Sequence, residues 1–411
     1  MKTEIPEGYK NSPVGIIPEE WEVKRLEEIA EITSGATPSR KIADNWNGDI
    51  PWVTTSLLNN ARILSAEEYI TQTGLDYSAT KILPLNTVLM AMYGEGQTRG
   101  KVSILRIEAA TNQACAAIVV TENARYDYIF HQLTNMYNII RNLSNDGSQK
   151  NLNLQLIKNI QVILPPLLEQ QKIAEILSVW DVAIEKLTLL IEKLELRKRA
   201  LMQQLLTGKK RLKGFDGEWK KVRLGEVSKI KKGRALSSTQ TQIGIYPVIA
   251  GGKSSPYFHA DFTDENVITV SASGAYAGYV AYHSFKIWAS DCSVINEINL
   301  ISDLTFLYYS LTLIQDSIYE LQSGGAQPHV FPNDLKKIKI ELPSLPEQTA
   351  ITEILSTADQ GIHVAKEKLE QLKKQKKGLM QVLLTGKKRV IITTNTQTNE
   401  NIRNQKSIRA V

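Results

Sequence analysis

Sliding the 411-residue sequence along itself by 178 positions aligns residues 164–211 with 342–389 without a gap, and 25 of those 48 pairs are identical. A duplication on this scale fixes the plan of the chain before any secondary structure is considered. Each copy opens on Leu-Pro-x-Leu-x-Glu-Gln and closes on Leu-Leu-Thr-Gly-Lys-Lys-Arg. The same offset pairs Gly147 with Gly325, Gln149 with Gln327, Lys158 with Lys336 and Ile160 with Ile338. A shift of 198 matches Glu20-Trp21 with Glu218-Trp219 and continues through Arg25/Arg223, Leu26/Leu224, Ile32/Ile230 and Gly35/Gly233. The order is therefore A-B-A′-B′. Between the matched ends, 36–146 and 234–324 share little identity and differ in length by 20 residues. A repeated frame around unlike contents suits two domains of one fold with two different ligands; a solenoid would need shorter units in at least three copies.

Within the first copy, Ile173, Leu177, Trp180, Ile184, Leu187, Ile191 and Leu194 recur at alternating spacings of four and three, the seam of a coiled coil. The second copy keeps the register with Ile351, Leu355, Ala358, Ile362, Ala365, Leu369 and Leu372, and both place a lysine, Lys198 or Lys376, at the next seam position. Each helix starts after prolines and ends at Gly208 or Gly386 with lysines beyond, which suits a helix C-terminus. About 37 residues at roughly 1.5 Å each give a helix some 55 Å long. Such a seam needs a partner, and the matching seam of the other copy supplies one, so the two helices are expected to pair antiparallel inside the chain; pairing between two chains is the alternative.

Hydrophobic residues make up 42% of the chain, enough for more than one core, and no apolar run reaches the eighteen or so residues of a membrane span. With no apolar leader after Met1, a cytoplasmic protein is expected. Two cysteines, Cys115 and Cys292, exclude a disulfide framework and a four-cysteine zinc site, leaving two buried thiols as the plain reading. The net charge of +6 is unevenly spread: 161–235 hold 17 basic against 9 acidic residues and 341–411 hold 12 against 7, while 36–160 hold 11 against 10 and 236–340 only 5 against 9. Basic blocks serve either as solvated faces or as phosphate contacts.

The segments between the frames mix short apolar stretches (Ile50-Pro51-Trp52-Val53, Ala116-Ala117-Ile118-Val119-Val120, Val267-Ile268-Thr269-Val270) with turn-rich runs such as Gly94-Glu95-Gly96-Gln97-Thr98-Arg99-Gly100 and Ala272-Ser273-Gly274-Ala275-Tyr276. They read as strand-rich α+β domains. Loops tipped with Ser, Thr, Asn, Gln, Arg and Tyr are what reading base edges requires. Catalytic motifs are missing: the 94–100 glycines are misspaced for a dinucleotide loop, and Gly252-Lys253-Ser254 follows Pro247 where a phosphate loop needs glycine. His131, His259, His283, His329 and His363 lack metal-ligand spacing, and no Asn/Asp-Pro-Pro-aromatic methylation motif occurs. The tail after Val390, rich in Thr, Asn and Gln, is expected to be disordered.

The A-B-A′-B′ plan, the two helical repeats, the Glu-Trp openings, and the segments Tyr9-Lys10-x-Ser12-Pro13-Val14-Gly15, Gly214-Phe215-Asp216-Gly217-Glu218-Trp219 and Thr111-Asn112-Gln113-Ala114-Cys115 resemble the specificity subunits of type I restriction-modification systems over residues 9–390. The resemblance implies two target recognition domains, 1–163 and 212–341, separated by repeat helices at 164–211 and 342–390, with 391–411 as tail. It implies a non-catalytic subunit: each domain reads half of a split double-stranded DNA site, and the helices set the gap and dock two modification subunits. Those partners use S-adenosylmethionine and flip the adenine they methylate, and restriction subunits use ATP and Mg. The chain itself would hold no cofactor and no metal, and no membrane is involved. A coiled-coil scaffold carrying two protein- or glycan-binding domains is the alternative.

Candidate DNA contacts in the first domain are Ser39, Arg40, Lys41, Thr55, Ser56, Gln97, Arg99, Gln149 and Lys150. In the second they are Lys231, Arg234, Lys253, Ser254, Ser273, Tyr276, Gln327 and His329. Arg and Gln suit bidentate base contacts and the others phosphate contact, though each is equally a turn residue. Glu169, Gln170, Glu347 and Gln348 join the seam residues as the docking or spacer group. The basic helix ends (Arg197, Lys198, Arg199; Lys373, Lys374, Lys376, Lys377) face either DNA or acidic patches of partners.

Overall fold

In a computed structural model the residues described are 5–59, 61–94, 97–143, 151–236, 243–253, 255, 257–298, 301–324 and 327–392. Gln149, Lys150, Ser254 and the tail from 393 onward, all subjects of expectations above, lie outside them. The strands in chain order are β1 Tyr9–Ser12, β2 Gly15–Pro18, β3 Glu22–Arg25, β4 Ala30–Ser34, β5 Trp46–Val53, β6 Arg62–Ile63, β7 Glu68–Ile70, β8 Val88–Ala91, β9 Val102–Leu105, β10 Ala110–Thr111, β11 Cys115–Val120 and β12 Gln161–Leu164, then β13 Lys220–Arg223, β14 Ser228–Lys232, β15 Tyr246–Ile249, β16 Phe258–His259, β17 Val267–Ser271, β18 Val280–His283, β19 Trp288–Ala289, β20 Cys292–Glu297 and β21 Lys339–Leu342. The helices are α1 Gln72–Asp76, α2 Tyr126–Asn135, α3 Tyr137–Asn142, α4 Leu154–Lys158, α5 Leu167–Leu205, α6 Leu224–Val227, α7 Leu304–Leu313, α8 Gln315–Tyr319, α9 Pro332–Leu335 and α10 Leu345–Leu383. The chain divides into two compact units, Met1–Leu187 with Lys368–Val411, and Thr188–Glu367. Each unit thus owns one half of α5 and the opposite half of α10.

Unit 1 holds a five-stranded sheet ordered β4-β11-β8-β9-β6 and a three-stranded sheet ordered β10-β5-β7; unit 2 holds β14-β20-β17-β18 and β16-β15-β19. The small sheets share an unusual feature, a two-residue parallel pairing: Trp52 opposite Ala110 in unit 1 and Val248 opposite Trp288 in unit 2. Two segments of little identity therefore adopt one fold, as the A-B-A′-B′ plan implies. The main sheet of unit 1 is apolar on both faces because it is sandwiched. Val88, Met90, Ala116 and Ile118 pack with Tyr128 and Ile129 of α2, while Leu89, Ala91, Cys115 and Ala117 pack with Val53 near the small sheet. That double burial explains why β8 shows no alternation of polar and apolar residues.

The frame closes on itself in the same way in each unit. A Cβ on Gly35 would lie 1.8 Å from the Thr111 carbonyl oxygen, and one on Gly233 would lie 2.4 Å from that of Ser290, so the chain enters each domain where only glycine fits. Trp21 and Leu26 join Ile173, Leu177, Met380 and Leu383 in one core; Leu224, Ile351, Leu355, Met202 and Leu205 form the other. Five of these pairs are repeat mates, and Trp219, the mate of Trp21, packs half-buried against the second core. The seam runs antiparallel inside the chain: in unit 2 Glu195 pairs with Lys366 and Lys198 with Asp359, and in unit 1 Asp181 pairs with Lys376. Gly208 and Gly386 take φ of 66° and 72°, the left-handed turn that ends each long helix. Lys198 and Lys376 are thereby corrected. They are seam residues bonded to aspartates, not basic groups facing DNA or a partner.

Candidate nucleic-acid interface

Three repeated motifs far apart in sequence meet at one node in each unit. In unit 1, Trp21 Nε1 donates to Glu169 Oε2 at 3.0 Å, and Arg389 donates to both Glu169 oxygens at 2.7 and 2.8 Å and to Glu20 at 2.7 Å. In unit 2, Trp219 Nε1 donates to Glu347 at 3.1 Å and Arg211 spans both its oxygens at 2.7 and 2.8 Å. Glu169 and Glu347 are 0% and 2% exposed. Burying such carboxylates is tolerable only because each is paired and hydrogen-bonded, and the same bonds hold the guanidinium pKa of Arg389 and Arg211 above the usual arginine value. Gln170 and Gln348 are equally committed: each donates to the carbonyl of Pro165 or Pro343 at 2.9 Å and accepts from the backbone N–H of Arg125 or Asp303. These four residues hold a recognition domain onto the long helices, and their polar atoms face inward. Arg211 and Arg389 were passed over in the sequence; their signal was identity in both copies.

In unit 1 the candidates fall into two groups. Arg40 forms a bidentate pair with Glu68 at 2.9 and 2.7 Å and stacks 3.9 Å over the Trp46 ring, with Trp52 5.3 Å away. The pair lowers the Glu68 pKa and raises that of Arg40. Ser39 accepts from Trp46 Nε1 through its carbonyl, and Lys41 is exposed beside them. Ser56 bonds Thr54 at 2.8 Å and Glu67 at 3.3 Å, and Thr55 starts the turn that carries it. The second group is the β8–β9 loop. The Gln97 carbonyl accepts from Tyr137 at 2.7 Å and Arg99 donates to the Arg141 carbonyl at 3.0 Å, while Arg141 also donates to Tyr137. Arg99 thus supports the loop through α3. Tyr137 and Arg141, half-buried at its base, were not anticipated.

Unit 2 gathers its candidates more tightly. Lys253 lies 5.1 Å from the Tyr276 ring and 5.4 Å from that of Tyr279, Ser273 bonds Asp291, and the backbones of Ser273 and Ser323 both bridge to His329. His329 stacks 6.0 Å from Phe331, and Gln327 is exposed on the same segment. The 272–276 turn is tied to that segment by Gly274 N to Pro328 O at 3.1 Å and Val330 N to Ala272 O at 3.0 Å. Lys253, Tyr276, Gln327 and His329 therefore belong to one surface, whereas Ser273 is buried and its hydroxyl is committed to Asp291. Arg234 lies over Trp288 at 5.3 Å and Lys231 is bound to Asp264 at 2.5 Å, away from that turn in sequence and engaged elsewhere. The two cysteines occupy equivalent sites: each begins the second strand of its main sheet, β11 or β20, and burial pushes Cys115 up to about 11 and Cys292 up to about 12. Thiols so raised are inert packing groups.

Each unit thus exposes its own set of polar side chains on one fold and one repeated frame, Arg40 and Lys41 in the first and Lys253, Tyr276 and Gln327 in the second. The sequence matches the family described as type I restriction modification DNA specificity domain over residues 18–196 and 216–374; the chain belongs to that family. It is 24% identical over 421 residues to the MjaIX specificity subunit of Methanocaldococcus jannaschii, covering 93% of this chain and 96% of that one. It is 27% identical to that organism's putative MjaX specificity subunit, covering 93% and 97%. Among known structures, the S subunit of a type I system from M. genitalium superposes with a TM-score of 0.66 at 18% identity, covering 95% of this chain and 99% of its own. Among the described residues no helix is long and apolar enough to cross a membrane.

Proposed function

We propose that the chain gives a type I restriction-modification complex its DNA sequence specificity, each unit reading one half of a split site. The observation that carries this is the pairing of one fold, in two copies on a repeated frame, with two unlike sets of exposed polar tips. A scaffold binding proteins or glycans gives no reason for that combination. The Tyr276–Lys253–Gln327 surface and the Arg40–Lys41 surface are the readers, and α5 and α10 set the gap and dock two modification subunits. Neither reading body carries a broad basic surface, so the modification subunits help to hold the duplex. Methyl transfer with S-adenosylmethionine and any ATP- and Mg-dependent cutting belong to the partners, and this chain contributes no catalytic group. Genome-wide mapping of methylated adenine tests the reading: split-site methylation should vanish when the chain is deleted. Exchange of residues 36–146 for those of another specificity subunit should change one half-site only. Methylation that ignores the deletion, or an exchange that alters both halves, would refute it.

A further inference from the structure

The two frames pack alike and carry opposite charge. Residues 20–34 and 158–164 of unit 1 hold 3 basic and 5 acidic residues, whereas their mates 218–232 and 336–342 in unit 2 hold 9 basic and 3 acidic. Both sets form the same ladder, β12 against β3 and β21 against β13, so the fold does not demand the difference. Arg25 and its mate Arg223 show how it arises. In unit 1 Arg25 stands opposite Gln161 and is tied to Glu27 at 2.8 Å and Glu28 at 3.0 Å. In unit 2 Gly225 replaces Glu27 and Lys339 replaces Gln161, while Glu226, the mate of Glu28, accepts from the Arg223 backbone N–H at 2.8 Å. Arg223 thus faces Lys339 directly, both exposed and neither ion-paired among the described residues. Lys220 replaces Glu22 on the same strand, and Lys336 adjoins them, its carbonyl accepting from Gly225 N at 3.1 Å. Lys221 and Lys337 are matched by Glu341 and Asp334. Like charges directly opposite destabilise a ladder, a cost that a bound polyanion removes.

The rest of unit 2 identifies that polyanion. Of the five basic residues at 236–340, three are Lys336, Lys337 and Lys339, which leaves only Lys253 and Lys286 against nine acidic residues. A body so charged repels a duplex unless the frame attracts it. Two identical modification subunits would bring one and the same surface to both units, which does not suit a frame that is acidic in one and basic in the other. Resting on the DNA-reading function above, we propose that Lys220, Arg223, Lys336 and Lys339 form a contact for the DNA phosphate backbone that unit 1 lacks. The strip reads no bases. Ser228, where β14 leaves the frame, stands opposite Glu297, and the far end of β20, Cys292, stands opposite Ser271, which leads into the Tyr276 turn. About five residues of strand, or about 16 Å, therefore separate the strip from that turn. The phosphates it meets lie outside the bases under Tyr276.

The test uses the full chain purified with the modification subunit of the same system. Fluorescence anisotropy across a salt series compares a duplex carrying the split site found by methylation mapping with a scrambled duplex. Lys220→Glu combined with Lys339→Gln gives unit 2 the residues of unit 1. Binding of both duplexes should weaken about tenfold at low salt, and the slope of log K against log salt should flatten by about 2, with the preference for the split site kept. Lys336→Glu, at an exposed helix end, should flatten the slope by about 1 and decides the matter if the double variant fails to fold. Wild-type slopes in Lys336→Glu and in a folded double variant would overturn the proposal. So would loss of the split-site preference, which would place the strip among the readers, or loss of the modification subunit from the complex, which would make it a protein contact. A wild-type complex that cannot tell the split-site duplex from the scrambled one would instead remove the DNA-reading function itself, a result seen before any variant is made.

Discussion

Lys198 Nζ reaches the Asp359 carboxylate at 2.6 Å, and the repeat mates of that pair, Lys376 and Asp181, meet in the other unit. A charged residue in an apolar seam is costly unless its partner stands opposite, so each pair specifies the antiparallel register at some cost in stability. The two pairs are not equally enclosed. The Lys376 and Asp181 side chains are 10% and 23% exposed, against 19% and 39% for Lys198 and Asp359. Lys376→Met should therefore cost about 3 kcal/mol, the range for stranding a buried charge, and Lys198→Met about 1 kcal/mol. Urea unfolding of the two variants measures the difference; equal losses would show that enclosure does not set the cost.

His131 adds a pH dependence in unit 1. It is 1% exposed, its Nε2 lies 3.7 Å from Asp181, and its Nδ1 has no hydrogen-bond partner among the described residues. Burial, then the charges of Lys376 and Arg62, hold its pKa well below 6.5. The folded state thus keeps His131 neutral while the unfolded chain takes up a proton near pH 6.5. Stability is full above that pH and falls as pH drops below it, with a slope approaching about 1.4 kcal/mol per pH unit. The matched residue in unit 2 is Tyr309, which donates to Asp359 at 2.7 Å. His131→Tyr should reduce the slope of the acid limb between pH 6.5 and 5 and leave the share of His283, whose pKa burial lowers to about 4 in unit 2; an unchanged limb would assign it to other groups.

Much of this architecture is written in the sequence because duplication makes packing visible twice. Ile173/Ile351, Leu177/Leu355 and Gly208/Gly386 stand where the seam and the repeat placed them. What stays hidden is pairing across distance. Nothing local joins Arg389 to Glu169, 220 residues away, or Arg40 to Glu68, since a guanidinium in a loop has many carboxylates to choose from. The equivalence of Cys115 and Cys292 escaped because their offset is 177, one short of the repeat. The loops proposed to read DNA differ most between the copies, so the duplication that exposes the frame is silent about them.

Leu177 and Leu355 are fully buried repeat mates, each in the core of its own unit. Truncation to alanine should cost about 2–5 kcal/mol at either position, from lost transfer energy and the cavity left behind. Because each core belongs to one unit, hydrogen exchange should show Leu177→Ala loosening β11 and α2 while sparing β20 and α7, and Leu355→Ala the reverse. Loosening of all four elements by either variant would mean that the cores are not independent.

Arg40 supplies the sharpest test of the readers. Its guanidinium is already bidentate to Glu68 and stacked on Trp46, so the loop is ordered before DNA arrives and two substitutions should part ways. Arg40→Ala removes both the group and the order it imposes, and should weaken binding of the split site by the modification complex about tenfold or more. Glu68→Gln keeps the stack but loses the charged half of the pair, releasing the guanidinium toward phosphate or base. It should leave affinity equal or higher and relax discrimination at the first half-site only. Tyr276→Ala should do the converse, lowering affinity through the second half-site while leaving first-half preference intact. Titrating DNA duplexes altered in one half at a time reads all three, and loss spread over both halves for any of them would place that residue in the frame.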